Sequence, residues 1–333
     1  MGILNSRSRE AGKQGSVTPS SRAQVASHFG GRVVRDCPGT RNHVCCGYKN
    51  IDLIEGCVLS CSYCILRGYL NSPGITIRRD IDAITAEIER AVESEKVHVL
   101  RFGTGELSDS LALDRNLGLN RPIIEFFGDR KSALLELKSK WASIDHLRSC
   151  LNPYTVVSFS IAPQRMIDRE EKRTSPLYKR LKVLRAAQEL GCFVGIHLDP
   201  IIIYEGFETD YRYLIEDLAK ILDPKKIIWV SLGLLRFVPA LMKIFLEEKR
   251  KNLLHGEFVI GEDGKYRYIK AERIRVYRMI YELLKEKEEN LFVYFCMERS
   301  DIWKQVAGLE VRNSEELNGL FDKRIGQFYG KLM

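Results

Sequence analysis

The sequence has no apolar run approaching the ~18 residues that cross a bilayer, so no transmembrane helix is expected among its 333 residues. Its opening stretch, MGILNSRSREAGKQGSVTPSSRAQ, lacks the apolar core of a secretory signal, and the expected compartment is cytoplasmic. No segment recurs at a fixed period, which sets aside repeat architectures. An evenly paired cysteine framework is missing too. The nine cysteines are odd in number, and three bunch within EGCVLSCSYCILRGYLN at Cys57, Cys61 and Cys64. That pattern speaks for metal or redox use. The bunch itself lacks a fourth member. A structural zinc site closes with four protein ligands, whereas three thiols leave one metal position open for substrate chemistry.

Acidic residues are scarce at one end. Residues 1–50 hold eight Lys and Arg against Glu10 and Asp36, so +6 of the net +8 charge falls there. Such a head is suited to phosphates, while the Ser-, Gly- and Gln-rich first 25 residues read as a solvated, flexible leader. A basic N-terminal extension is expected over residues 1–48.

From about residue 50 the pattern is strand, loop, helix, repeated. NIDLIEG, VHVLRF, SALLELK, YTVVSFSIA, CFVGIHLDPIII and KIIWVSLG read as six strands. Helical segments such as SPLYKRLKVLRAAQELG lie between them. Apolar strands alternating with helices predict a parallel sheet buried on both faces. The expected fold is α/β: a partial parallel (β/α)6 TIM-like barrel over 49–240, with a C-terminal β-hairpin and helix cap over 241–333. Chemistry in such barrels sits at the C-terminal strand ends. The cysteine loop, GTGE (103–106), Lys138, Lys140, Ser158, Ser160, His197 and Asp199 all fall at or near such ends.

His197 and Asp199 alternate along one strand and so share a face. They are read as substrate candidates or as a hydrogen-bonded structural pair, and Arg236 has the same ambiguity. In GEFVIGEDGKYRYIK, Lys265, Tyr266 and Arg267 interleave aromatic and basic side chains on a hairpin, a pattern suited to base stacking and phosphate pairing. LFVYFCME (291–298) reads as one more strand.

The C-x3-C-x2-C spacing, with Tyr63 just before the last Cys, resembles the radical S-adenosylmethionine superfamily. CCGYKNIDLIEGCVLSCSYCILRGYLN, RFGTGELSDSLALD, LELKSKWASIDHL, VSFSIAP, GIHLDPIII, WVSLGLLRF and DGKYRY together resemble its spore photoproduct lyase branch. The resemblance implies that Cys57, Cys61 and Cys64 bind three irons of a [4Fe–4S] cluster and leave the fourth to S-adenosylmethionine. One electron then releases a 5′-deoxyadenosyl radical, which abstracts hydrogen from substrate. It further implies that Gly103, Thr104, Gly105, Glu106, Lys140 and Ser160 receive the cofactor, the glycines letting backbone approach its methionine end. Glu106 and Tyr63 become the catalytic candidates. DNA or another nucleic acid is the implied substrate, in a DNA repair role, and a flavodoxin or ferredoxin the implied electron donor.

The match departs at one chemical task. Lyases of this family carry a hydrogen-returning cysteine in the loop after the second strand, where this chain has Glu106. Ile65 replaces a tyrosine and Ala162 an asparagine. A carboxyl O–H bond is far stronger than S–H, so Glu106 cannot take over hydrogen return. These changes favour a lyase-like relative, with a non-nucleic-acid substrate as one alternative. The other is a zinc-stabilised nucleic-acid-binding protein in which Cys45 or Cys46 supplies the fourth ligand. Cys37, Cys45 and Cys46 are read as small packers or a second metal site, with His43 nearby.

Overall fold

Six predicted apolar runs supply strands of one curled sheet. The computed structural model describes residues 23–26, 31–40, 42–70 and 74–330, the first of these by backbone alone. Most of the basic leader therefore lies outside the described residues. The sheet contains β1 (Val34–Asp36), β2 (Lys49–Ile51), β3 (Arg101–Gly103), β4 (Leu134–Ser139), β5 (Thr155–Ser160), β6 (Val194–Ile201), β7 (Ile227–Leu234) and β8 (Val293–Phe295). They lie side by side in chain order. From β2 to β8 every neighbouring pair is parallel, and β1 runs antiparallel on the β2 edge. The result is an open half-barrel. Every residue of β5 and β7 is buried, as strands covered on both faces require.

Two features differ from the six-unit reading. The strand within LFVYFCME joins the barrel sheet as a seventh parallel strand, through Leu232↔Phe295, so the sheet continues past residue 240. NIDLIEG divides: Lys49–Ile51 enters the barrel, while Ile54–Glu55 pairs with Ile75–Arg78 in a small separate sheet.

The connecting helices each bury one stripe. Ile81–Ser94 buries Ile84 and Ile88 and is capped by Asp80, which accepts from Ala83 N at 3.0 Å. Asn120–Arg130 buries Ile123, Ile124 and Phe127. Between β4 and β5 there is only a 3-10 turn, Asp145–Leu147, and no α-helix. The segment between β1 and β2 crosses to the opposite sheet edge, where Val44 N donates to Glu298 O at 2.9 Å. This contact ties the two rims of the open barrel together. No helix among the described residues is long and apolar enough to cross a membrane.

Candidate active site

The cysteine loop leaves the sheet after β2 and is fixed at both ends. Gly56 N donates to Leu107 O at 2.9 Å, joining the loop to the turn after β3. Gly56 has φ +93°, and a Cβ there would lie 2.6 Å from Gly74 O, so the position requires glycine. Ser60–Cys61 pairs antiparallel with Glu171–Lys172, and Ser62 N donates to Glu170 O at 2.8 Å. The Ser62 hydroxyl also donates to the Glu170 carboxylate. Tyr63 is buried, and its hydroxyl donates to Glu171, which is ion-paired with the fully buried Arg180. Arg180 Nη1 in turn donates to Ser160 O at 2.8 Å. One polar chain thus connects the cysteine loop to the C-terminal end of β5. Glu170, Glu171 and Arg180 escaped sequence reasoning because their partners lie many residues away.

Burial pushes the Cys57 thiol up to about 12, with Asp109 adding to the effect, and raises Cys61 as well. Such thiols ionise when a metal takes them. Among the described residues no three metal-ligating side chains are arranged around a single ion. Three thiols that grip separate corners of a cluster need no such convergence, and soft thiolates suit iron–sulfur centres. Lys140 lies beside them, its Nζ 5.8 Å from the Tyr63 ring centroid. Among the described residues its ammonium has no ion-pair partner. Against burial, its charge adds to that of Arg180 in holding the buried Glu171 ionised, and a half-buried cation next to three thiols fits a ligand carboxylate.

The turn after β3 is held by Asp109. Its Oδ1 accepts from Ser139 Oγ at 2.7 Å and from Leu111 N and Ala112 N, and its Oδ2 accepts from Lys140 N at 2.7 Å. Thr104 Oγ1 donates to Ser110 Oγ at 2.8 Å. The two glycines have structural reasons of their own. A Cβ on Gly103 would lie 1.5 Å from the Tyr48 hydroxyl, and one on Gly105 would lie 2.8 Å from Lys138 O. Gly103 thus makes room for Tyr48, a requirement that reading it as a cofactor-approach glycine did not include. Glu106 Oε2 lies 3.7 Å from Lys138 Nζ. Burial works to lower the Lys138 pKa, but Glu106, Glu136 and Asp199 outweigh it and hold the ammonium above its ordinary range.

Deeper in the barrel, Glu136 Oε1 accepts from Ser158 Oγ at 2.5 Å, His197 Nε2 at 2.8 Å and Trp229 Nε1 at 2.9 Å. Burial opposes its ionisation, but His197, Ser158 and Lys138 prevail and lower Glu136 to about 2. His197 is therefore a buried partner of Glu136. Asp199, two residues along, sits nearer the mouth and pairs with Arg236, Nη2 to Oδ2 at 3.2 Å. Gly233 clears the space, since a Cβ there would meet the Asp199 carboxylate at 2.6 Å. Arg236 Nη2 also donates to Cys296 Sγ at 3.2 Å.

The hairpin is joined to the segment that follows β7. Its strands, Phe258–Ile260 and Tyr266–Tyr268, pair antiparallel with Arg236–Phe237 on the outer side of Tyr266–Tyr268. Period-two alternation sorts aromatic and basic side chains onto opposite faces. Tyr266 is half-buried and stacks on Phe237 at 5.5 Å between centroids, which occupies one ring face. Arg267 is buried and pairs with Asp263 at 2.6 Å. Lys265 Nζ lies 3.4 Å from Thr40 Oγ1 and 3.9 Å from Asp263 Oδ2. Burial first and Arg236 second depress the Lys265 pKa, whereas burial is outweighed at Arg236 by Asp199 and Cys296, which hold its guanidinium above the ordinary range. Among the exposed hairpin side chains are the apolar Val259 and Ile260, beside the acidic Glu257 and Glu262.

Comparison with known proteins agrees with this geometry. Spore photoproduct lyase from Clostridium acetobutylicum is 25% identical over 238 residues, covering 67% of this chain and 68% of that protein. The Bacillus subtilis enzyme of the same name is 28% identical over 236 residues, with the same coverage of 67% and 68%. A solved spore photoproduct lyase double mutant with bound AdoMet and dinucleoside spore photoproduct superposes with a TM-score of 0.68 at 25% identity, over 74% of this chain and 76% of that one. Residues 45–295 match the family model for spore photoproduct lyase, and the chain belongs to that family of radical S-adenosylmethionine lyases.

Proposed function

We propose that this chain is a radical S-adenosylmethionine enzyme acting on a photoproduct lesion in nucleic acid. One observation carries the reading: three thiols, the unpaired Lys140 and the Gly103–Glu106 turn occupy neighbouring strand ends at the barrel mouth. Cys57, Cys61 and Cys64 are the residues that would hold a [4Fe–4S] cluster. Lys140, Ser160 and the turn from Gly103 to Glu106 are those that would receive S-adenosylmethionine. When bound, the pair supplies an electron and a carbon-centred radical. Lys140 offsets a ligand carboxylate, and the Tyr63–Glu171–Arg180 chain holds the loop at fixed height over β5. Arg236 and Lys265 face the substrate side, where a phosphate can compete with Asp199 and Asp263 for their charge. The relative with bound AdoMet and dinucleoside spore photoproduct supports both ligand classes. An acidic one-electron carrier such as a flavodoxin or ferredoxin is the matching donor.

A second reading keeps the radical chemistry and changes the substrate to one that is not a nucleic acid. Glu106 in place of a thiol favours it, as do the packed Tyr266 and buried Arg267. The test is anaerobic reconstitution, reduction, and incubation with S-adenosylmethionine and dinucleoside spore photoproduct. The first reading predicts two thymines and 5′-deoxyadenosine or its turnover. 5′-Deoxyadenosine with unchanged photoproduct supports the second. Protein that takes up no iron and releases no 5′-deoxyadenosine overturns both.

A further inference from the structure

The outer side of the cysteine loop carries positive charge that the fold leaves unpaired. Its partner strand ends in Lys172, whose register partner is the exposed Ser60, one residue before Cys61. Arg169 and Arg173 flank that strand, and all three cationic side chains are exposed. From the other side comes the turn after the helix Pro239–Glu247, with the exposed Lys249 and Lys251. Contacts join the two segments to the loop. Arg250 Nη1 lies 3.7 Å from Glu170 Oε2, and Arg67 donates to Ser62 O at 2.8 Å and pairs with Glu248. Among the described residues Arg169, Lys172, Arg173, Lys249 and Lys251 have no carboxylate partner. The exposed carboxylates nearby are already engaged: Glu248 by Arg67 and Arg250, Glu247 by Lys243 at 3.8 Å, and Asp168 by Gln164 at 2.7 Å.

Apolar side chains are exposed beside these charges. The short helix Leu66–Tyr69 follows Cys64 and packs on the helix Pro239–Glu247: a Cβ on Gly68 would lie 2.9 Å from Val238 Cγ2 and 3.3 Å from Leu241 Cγ. Tyr69 on the first helix and Leu246 on the second are 52% and 62% exposed. An exposed aromatic and an exposed aliphatic side chain bordered by charge suit a protein partner, since aromatics are enriched at protein interfaces and polar residues form the rim. A nucleic acid would value the cations alone. The cations assigned to the substrate, Arg236 and Lys265, stand on the opposite wall of the mouth.

We propose that this face, from Arg169, Lys172 and Arg173 across to Lys249 and Lys251, docks an acidic one-electron carrier protein. The assignment rests on the radical reading above and adds the place where the electron enters. A carrier seated on Lys172 lies against Ser60–Cys61, so the chain it must reach through is a single turn of the cysteine loop. It gives up one electron to the group that Cys57, Cys61 and Cys64 would hold; the carrier is oxidised by one electron, and no bond forms or breaks at the docking face. Such encounters are weak and small, typically below about 1,200 Å². Charge complementarity acts mainly on their association rate and fades as salt screens it. Unpaired, solvated cations are therefore the right equipment, because they dock a partner without holding it.

The test compares two triple variants of the full-length protein. One is Arg169→Glu, Lys172→Glu and Lys251→Glu; the other reverses as many exposed charges at the opposite end of the strands, Lys220→Glu, Lys287→Glu and Lys323→Glu. Iron-free protein is titrated with a bacterial flavodoxin at about 20 mM and about 200 mM salt. Wild type and the second variant should bind at low salt and weaken as salt rises, and the first variant should lose about tenfold in affinity at low salt. After anaerobic reconstitution, 5′-deoxyadenosine formation driven by reduced flavodoxin should fall about tenfold in the first variant, while formation driven by dithionite should match wild type. Equal flavodoxin binding by the two variants would overturn the proposal. So would a first variant that binds flavodoxin as wild type does but loses affinity for a DNA duplex, which would make the face a nucleic-acid surface. A wild type that makes the nucleoside with dithionite yet neither binds flavodoxin nor is driven by it overturns the docking face alone. No nucleoside even with dithionite overturns the radical reading and the docking face with it.

Discussion

The two walls of the barrel mouth are built on different principles. On the cysteine-loop side, the Tyr63–Glu171–Arg180 chain is sealed: the Arg180 and Glu171 side chains are 0% and 1% exposed. Across the mouth, Asp199–Arg236 is a longer pair at 3.2 Å with both side chains partly open, and Lys265 lies 3.9 Å from an Asp263 that is held by Arg267. A wall that positions a reactive group must be over-determined, since small misplacements cost rate. A wall that meets substrate keeps charges whose partners can be exchanged. On the proposed reading the departures from the lyase pattern bear on hydrogen return, with Glu106 where the resemblance implies a cysteine, while the triad Cys57, Cys61 and Cys64 is intact.

The contrast breaks most sharply at the thiols. Cys57→Ala, Cys61→Ala or Cys64→Ala should each abolish cluster retention and 5′-deoxyadenosine formation, measured by iron and sulfide content and by chromatography. Next is the sealed chain. Arg180→Met leaves Glu171 buried without its cation and should cost about 3–5 kcal/mol in denaturant unfolding. A loss below about 1 kcal/mol would mean that the cysteine-loop wall is no more rigid than its counterpart.

Glu136 gives a pH signature. Its carboxyl is lowered from 4.5 to about 2, so the stability it contributes is fully present above about pH 4.5 and is lost as pH falls toward 2. That contribution is on the order of 3 kcal/mol. The stability difference between wild type and Glu136→Gln should shrink across that window, as followed by urea titrations at several pH values. A difference that stays constant would remove the ionised Glu136 carboxylate from the account. Gly103→Ala should cost about 1–3 kcal/mol through its clash with Tyr48. Adding Tyr48→Leu should recover part of that loss, and simple additivity would contradict the packing argument. Smallest of all, Ile260→Ser on the exposed hairpin face should stay within about 0.5 kcal/mol of wild type.

Much of this architecture can be read along the chain because its signals are local. Apolar runs bounded by turns located the parallel strands, and a tight cysteine spacing located the loop. Contacts between distant segments had no such signal. Tyr63 and Glu171 are 108 residues apart, and nothing near either one announces the other. Val293–Phe295 was recognisable as a strand, but its place beside β7 depends on a long parallel crossover. The hairpin is a different case. Alternation alone separates Tyr266 from Lys265 and Arg267, and Asp263 lies only four residues before Arg267, yet which face turns inward depends on Phe237, which only the folded chain brings there.

The central claim is that the three-thiol loop supports S-adenosylmethionine cleavage. It is tested most directly by quantifying 5′-deoxyadenosine from reduced, anaerobically reconstituted wild-type protein beside the Cys57→Ala variant. The account predicts nucleoside from the wild type and none from the variant. Zinc in place of iron, with no nucleoside from either protein, would contradict it.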